Sequence, residues 1–222
     1  GMMLSASELG LEDIEEGILI LDADIEPGAD VKTLLDFGEA LLECEITPNR
    51  GDLLSILGVA REISAITDRS LAFNIDLKTP PIIDLDIEIE SDGCFKYMGA
   101  ILEDVSVKSS KLWLKKALWK MGLKTISNVV DITNYTMMLL GQPLHAFDKD
   151  RIKDKIVVRQ AKEKERITAL DKKEYELDPS IMVIADGEKP IALAGIIGGL
   201  ESSVSYETKI VFLESALFDP IF

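Results

Sequence analysis

The sequence predicts a mixed α+β fold with a mainly antiparallel β core, and three observations carry that prediction. Amphipathic helical repeats sit near residues 53–66, 110–122 and 127–140. Short β-type runs parted by turn residues fill the chain after residue 155. The two kinds of segment do not alternate strictly, as the βαβ units of a doubly wound sheet would.

The elements follow in order. Ser5-Ala-Ser-Glu8 has the serine and glutamate of a capping box, which predicts a short helix ending near Gly10. Glu12 to Glu16 read as an acidic, solvated turn. Gly17-Ile-Leu-Ile-Leu21 reads as a strand bounded by Asp22, Pro27 and Gly28. Leu41-Leu-Glu-Cys-Glu-Ile46 reads as another, with acids at Glu43 and Glu45. Thr47-Pro-Asn-Arg-Gly-Asp52 is a polar loop feeding a helix from about Leu53 to Ile66. The apolar stripe of that helix is Leu53, Ile56, Leu57, Ala60, Ile63 and Ile66. Lys78-Thr-Pro-Pro81 reads as a linker, so the expected organisation is an acidic N-terminal segment, 1–79, packing on a core, 80–222.

Beyond the linker, Ile83 to Ile89 alternates apolar and acidic residues, the period of a half-exposed strand, and Tyr97 to Leu102 follows as a second. A lysine-rich helix runs from near Ser110 to Gly122, with Leu112, Trp113, Leu114, Leu118 and Trp119 as its apolar side. Ser127 caps the next helix, in which Val130, Ile132, Thr133, Met137 and Leu140 recur at roughly helical spacing. Gly141 permits a left-handed exit and Pro143 cannot continue the ladder. Strands are then expected at 156–159, 166–170, 174–177, 181–185 and 211–216, separated by Asp171, Asp178-Pro179 and Asp186-Gly187. Ile191 to Gly199 is apolar and rich in small residues.

Composition narrows the function classes. The chain of 222 residues is long enough for one large domain or two small ones. Its apolar runs are too short to span a bilayer, and no basic and apolar leader appears, so neither membrane insertion nor secretion is expected. Cys44, Cys94 and a single histidine supply neither a disulfide framework nor a thiolate–imidazole metal cluster, and a reduced cytoplasmic setting is expected. The net charge of −16 lies wholly in residues 1–100, with 22 acids against 6 bases. That argues against a general nucleic-acid coat protein, since phosphate binding needs local positive potential. Between Val105 and Val130 there is no acid, and Lys108, Lys111, Lys115, Lys116, Lys120 and Lys124 fall there. This run is either the solvated side of an amphipathic helix or a local basic docking face.

Four constellations could carry chemistry. Asp131 and Asn134 share a helix face and are followed by Gln142 and His145, which suggests either a lined pocket or a capped core helix with a loop histidine. Gly195-Ile-Ile-Gly-Gly199 is neither a Walker loop nor a dinucleotide fingerprint; glycine there lets backbone or a ligand approach closely. Glu214 stands in an apolar run, so its carboxylate must be paired, hydrogen-bonded, protonated or turned to water at a strand edge. The Asn49-Arg50 loop reads as a structural joint or a contact to a partner subunit. No serine–histidine–acid signature can be read from spacing.

Several stretches together resemble one family. Leu42-Glu-Cys-Glu-Ile-Thr-Pro-Asn-Arg50, Leu57-Gly-Val-Ala-Arg-Glu62, Val130-Asp-Ile-Thr-Asn-Tyr135, Gly141-Gln-Pro-Leu-His-Ala-Phe-Asp148 and Ala194-Gly-Ile-Ile-Gly-Gly199 resemble the β subunit of bacterial-type phenylalanyl-tRNA synthetase in order and spacing. The resemblance covers nearly the whole chain and falls on that subunit's internal editing module, so the chain looks like an excised piece that continues in the family beyond Phe222. It implies the fold of that module and hydrolysis of tyrosine wrongly esterified to the phenylalanine tRNA. His145 and Asn134 match positions around the ester and its attacking water. Glu214 matches the position that senses the tyrosine hydroxyl, and Gly195, Gly198, Ala194 and Gln142 match the pocket's substrate-binding positions. His145 acts there as general base or positions water.

The resemblance further implies partners and cofactors for the whole enzyme. These are the aminoacylated 3′ end of the phenylalanine tRNA and a synthetase α subunit in an α2β2 assembly, with no membrane or DNA. No cofactor is expected in this piece, while ATP and magnesium serve the whole ligase. A different class of function, a non-catalytic tRNA-docking or subunit-scaffold domain, stands beside the hydrolytic one.

Overall fold

Among the residues described by the computed structural model (3–9, 11, 17–21, 25–35, 40–73 and 85–220), all named α-helices fall in one compact unit and all named strands in a second. The first unit comprises residues 1–73 and 108–142, and the second 74–107 and 143–222. The expected break at 79/80 and the linker Lys78 to Pro81 lie outside the described residues, as does the acidic turn over 12–16. Residues 108–142 group with the N-terminal part because the lysine-rich helix shares its core: Leu112 packs with Ala6, Leu11 and Leu35, flanked by Trp119.

In the first unit a 3-10 turn spans Ser7–Leu9, and the predicted box is formed: Ser5 N donates to Glu8 Oε2 at 2.8 Å and Glu8 N to Ser5 Oγ at 3.2 Å. Helix α1 (Val31–Leu34) is capped by Asp30, whose Oδ1 accepts from Lys32 N at 3.0 Å. Two expected strands do not form. Ile18 makes one isolated bridge to Ser5, and 41–46 are neither helix nor strand, with Leu41 75% and Leu42 79% exposed. An alternating pattern yields a strand only where a partner edge completes its hydrogen bonds. Helix α2 (Ile56–Thr67) starts three residues later than expected, because Ser55 Oγ caps it at Gly58 N (3.0 Å) and Gly51–Leu53 form a 3-10 turn. Arg50 pairs with Asp52 at 3.0 Å and with Glu62 on α2 at 2.8 Å, a structural joint.

Helix α3 (Leu112–Lys120) corrects the lysine face. Lys115 is only 6% exposed and Lys116 donates its Nζ to the Leu34 carbonyl at 2.5 Å, so the run is partly turned inward. Trp113, expected inside, is 52% exposed and meets Tyr135 edge-on. Helix α4 (Asn128–Leu140) ends at Gly141 with φ +82°, the predicted left-handed exit, but Ser127 makes no side-chain cap. Buried Asp131 holds the start of the helix instead: its Oδ1 accepts from Ile126 N at 2.8 Å and its Oδ2 from Ser110 Oγ at 2.5 Å.

Among the described residues the second unit is built from three sheets. β1 (Asp86–Ile89), β2 (Cys94–Leu102), β3 (Leu144–Asp148), β4 (Lys155–Gln160), β5 (Arg166–Thr168), β6 (Glu174–Glu176), β7 (Met182–Ala185), β8 (Pro190–Leu193), β9 (Ile197–Gly198) and β10 (Val211–Phe218) follow in sequence. A five-stranded sheet has the order β1-β4-β7-β8-β9, a three-stranded one β2-β10-β3, and β5 pairs with β6. Only β1 with β4 is parallel among the described pairs.

Side-chain alternation sorts the core. Met182 and Ile184 of β7 join Tyr97, Phe147, Phe212, Ile156 and Val158 between the two larger sheets. Val183 and Ala185 face the other way, onto Ile167 and Leu177. Burial on both faces explains why 182–185 is a continuous apolar run. The half-buried ion pair of Arg159 with Glu165 is bidentate at 2.7 and 2.9 Å.

Candidate functional site

The three-stranded sheet positions the titratable residues through its register. On central strand β10, Phe212, Glu214, Ala216 and Phe218 point to one face. Phe212 is fully buried in the core between the sheets, so Glu214 faces the same way. Glu214 lies opposite His145 on β3 and opposite Gly99 on β2; Phe212 lies opposite Phe147, and Ala216 opposite Tyr97. Tyr97, Glu214 and His145 therefore share one face, and Gly99 brings no side chain to the space between the first two. Glu214 is not at an edge turned to water: it sits on the central strand and is 6% exposed. His145 is not a loop residue, because the chain enters β3 two residues after Gln142.

The end of β3 is anchored, which holds that register. Asp148 is buried, accepts from Thr208 Oγ1 at 2.7 Å and from Asp150 N at 3.2 Å, and pairs with Arg151 at 3.3 Å. The imidazole of His145 stands edge-on to Phe147, centroids 4.4 Å apart. Its other neighbour is the backbone of β9: a Cβ on Gly198 would lie 2.4 Å from His145 Cε1 and 2.6 Å from Nε2. Glycine at 198 is thus a condition for the ring's position. Gly195 has φ +69°, which favours glycine, and a Cβ there would approach the Phe218 ring to 3.2 Å. Ala194, at the end of this hairpin, is buried in the same core.

The electrostatics follow from burial. Desolvation pushes Glu214 up to about 7, against a smaller downward pull from the Tyr97 phenol. Desolvation pushes His145 down to about 4, so the imidazole is neutral at pH 7. Tyr97 is driven well above the ordinary phenol range, first by burial and then by the Glu214 charge, and it stays a hydroxyl donor. Tyr97 Oη, Glu214 Oε2 and His145 Nε2 are all buried, and none completes a hydrogen bond of acceptable geometry. Buried polar atoms are normally paired. These three atoms form a polar lining on one face, in which the Tyr97 phenol lies near enough to the Glu214 carboxyl to act on it and His145 Nε2 completes no hydrogen bond.

The structure brings together His145, Glu214, Gly195, Gly198 and Ala194, all within the second unit. Asn134 and Gln142 belong to the first, Asn134 half-buried on α4 and Gln142 just past its end. Asp131, grouped with Asn134 by sequence, is spent on the start of α4. Tyr97 was missed by sequence reasoning, since only the β2–β10 register shows that it faces Glu214.

A separate cavity of about 440 Å³ lies by β5, β6 and β8, but its cations are engaged: Arg166 with Glu174 and Glu176, Lys189 with Glu201, Arg151 with Asp148. Among the described residues no cluster of three or more His, Cys, Asp or Glu side chains is placed to hold a metal, and no helix is long and apolar enough to cross a membrane.

Comparison with known proteins gives a consistent result. The B3/4 domain family matches residues 93–222. The chain is 50% identical to the phenylalanine–tRNA ligase beta subunit of Aquifex aeolicus over 226 residues, covering 99% of this chain and 28% of that one. It is 45% identical to the same subunit of Carboxydothermus hydrogenoformans, over 100% of this chain and 29% of the relative. The chain therefore spans less than a third of the length of these curated relatives. Among solved structures, an N-terminal fragment of the phenylalanyl-tRNA synthetase beta-subunit from Pyrococcus horikoshii aligns with a TM-score of 0.47 at 20% identity, covering 76% of this chain and 52% of that one.

Proposed function

The chain belongs to the B3/4 domain family, and from that premise we propose that it is the editing module of a phenylalanine–tRNA ligase β subunit, which hydrolyses tyrosine mis-esterified to the phenylalanine tRNA. The observation that carries this reading is the pair formed by Glu214 and His145, directly opposite in register, each with a buried polar atom that completes no hydrogen bond. A pocket made for phenylalanine rejects an added hydroxyl only by roughly a hundredfold, so a ligase for phenylalanine needs a second site. A site that hydrogen-bonds the hydroxyl discriminates by about 10⁴ to 10⁵, because phenylalanine leaves a buried polar group unpaired. Glu214 is that group.

His145 serves as an acceptor. A neutral imidazole with a pKa near 4 is a weak base at pH 7, so its role is to orient water through Nε2 at the ester carbonyl. The water oxygen bonds to the carbonyl carbon, the carbon–oxygen bond to the terminal ribose breaks, and the ribose oxygen leaves with a proton as a hydroxyl. Free tyrosine and uncharged tRNA result. In the whole enzyme an α subunit completes an α2β2 assembly, and ATP and magnesium serve aminoacylation; no residue of this chain is assigned to them.

The test is release of tyrosine from tyrosyl-tRNA by the full-length β chain with its α partner, against phenylalanyl-tRNA as control. His145→Ala is expected to slow release by about tenfold to a hundredfold, the loss that follows from misplacing the water, and Glu214→Ala to abolish the preference for the tyrosyl ester. A wild-type enzyme no faster than free solution would assign the fold to tRNA docking or subunit scaffolding instead.

A further inference from the structure

We propose that Tyr97 is a specificity-determining residue of this site: its phenol O–H donates to the hydroxyl of the bound amino acid while Glu214 Oε2 accepts from that same hydroxyl. This rests on the editing reading above and names a reader that neither sequence pattern nor family match assigns. Three observations carry it. Tyr97 is 7% exposed and Glu214 6% exposed, and each keeps a buried oxygen that completes no hydrogen bond to any group beyond the other. Register puts them on one face of adjacent strands, diagonal to one another: Tyr97 is opposite Ala216 and Glu214 is opposite Gly99. The residue that could have filled the gap between them is glycine, and the phenol is close enough to act on the carboxyl.

The chemistry explains why one carboxyl is an incomplete reader. A phenolic hydroxyl has one hydrogen to donate and lone pairs to satisfy. Glu214 takes the hydrogen and leaves the lone pairs buried without a donor. Tyr97 is a hydroxyl at every working pH and supplies that donor. A substrate lacking the hydroxyl then leaves two buried groups unpaired instead of one, which multiplies the penalty against phenylalanine. Both groups read one atom, so their effects must be coupled rather than additive.

Two measurements on the full-length β chain with its α partner test this. The first is the ratio of kcat/KM for tyrosyl-tRNA over phenylalanyl-tRNA. The second is the binding preference for amide-linked tyrosyl-adenosine over amide-linked phenylalanyl-adenosine, neither of which can be hydrolysed at the ester. Tyr97→Phe removes one unpartnered oxygen, so the fold is retained, and a melting curve verifies that. Each ratio is expected to fall about tenfold in Tyr97→Phe, with Tyr97→Phe/Glu214→Gln falling by less than the product of the single effects.

If wild type hydrolyses the tyrosyl ester selectively and Tyr97→Phe leaves both ratios unchanged, Tyr97 is only a core residue; the inference fails and the editing function stands. If wild type hydrolyses neither ester but prefers the tyrosyl amide, and Tyr97→Phe removes that preference, the reader stands and the hydrolytic function falls. If wild type neither hydrolyses nor discriminates, both fall.

Discussion

At the scale of the residue, two buried groups are displaced in opposite directions by the same cause. Glu214 is held protonated up to about pH 7, so between pH 4.5 and 7 the native chain binds a proton that the unfolded chain has lost. The stability this confers is full below pH 4.5 and is lost as pH rises through 7. His145, held neutral down to about pH 4, contributes stability that is lost as pH falls from 6.5 toward 4. The two slopes oppose one another between 4.5 and 6.5. Comparison of wild type with Glu214→Gln isolates the first: the wild-type advantage should shrink by about 3 kcal/mol between pH 4.5 and pH 8. Chemical denaturation across that range measures it. A pH-independent difference would mean that Glu214 titrates as an ordinary surface carboxylate.

At the scale of the element, the site depends on how closely β9 approaches β3. Only a glycine lets the backbone at 198 sit against the His145 ring, with Leu170 Cδ1 also 3.2 Å from the place a Cβ would take. Gly198→Ala must push the imidazole off Phe147 or lift β9 from its neighbours, at a cost of roughly 1–3 kcal/mol. It is expected to lower the melting temperature and to reduce tyrosyl ester hydrolysis together. A variant that melts early but hydrolyses at the wild-type rate would show that the ring position is irrelevant to activity. Helix α4 was legible from its periodicity and its glycine exit. Its start after Ser127 was legible too, but the group that holds that start was not, because Asp131 reaches Ser110 and Ile126, partners that only folding brings near.

At the scale of the whole molecule, charge is the dominant sequence property. All of the −16 lies in residues 1–100. Like charges at that density oppose compaction, and salt screens them over about 10 Å at 0.1 M. Raising sodium chloride from about 0.05 M to about 0.5 M is therefore expected to raise the melting temperature by a few degrees. A falling midpoint would mean that pairs such as Arg50 with Glu62 and Arg159 with Glu165 outweigh the repulsion.

Local chemistry in the sequence determined the α+β class, the helices near 56–67, 112–120 and 128–140, and most strands after residue 155. Those depend on near neighbours: period, caps and turn residues. Tertiary structure decided the rest. Whether 17–21 and 41–46 became strands depended on partner edges, and none pairs with them as a strand among the described residues. Whether Glu214 faced water or core depended on β10 becoming the centre of its sheet, with β2 and β3 on either side. Tyr97 entered the site only through that pairing, because strand register joins residues far apart in sequence and sets, one residue at a time, which face each side chain occupies.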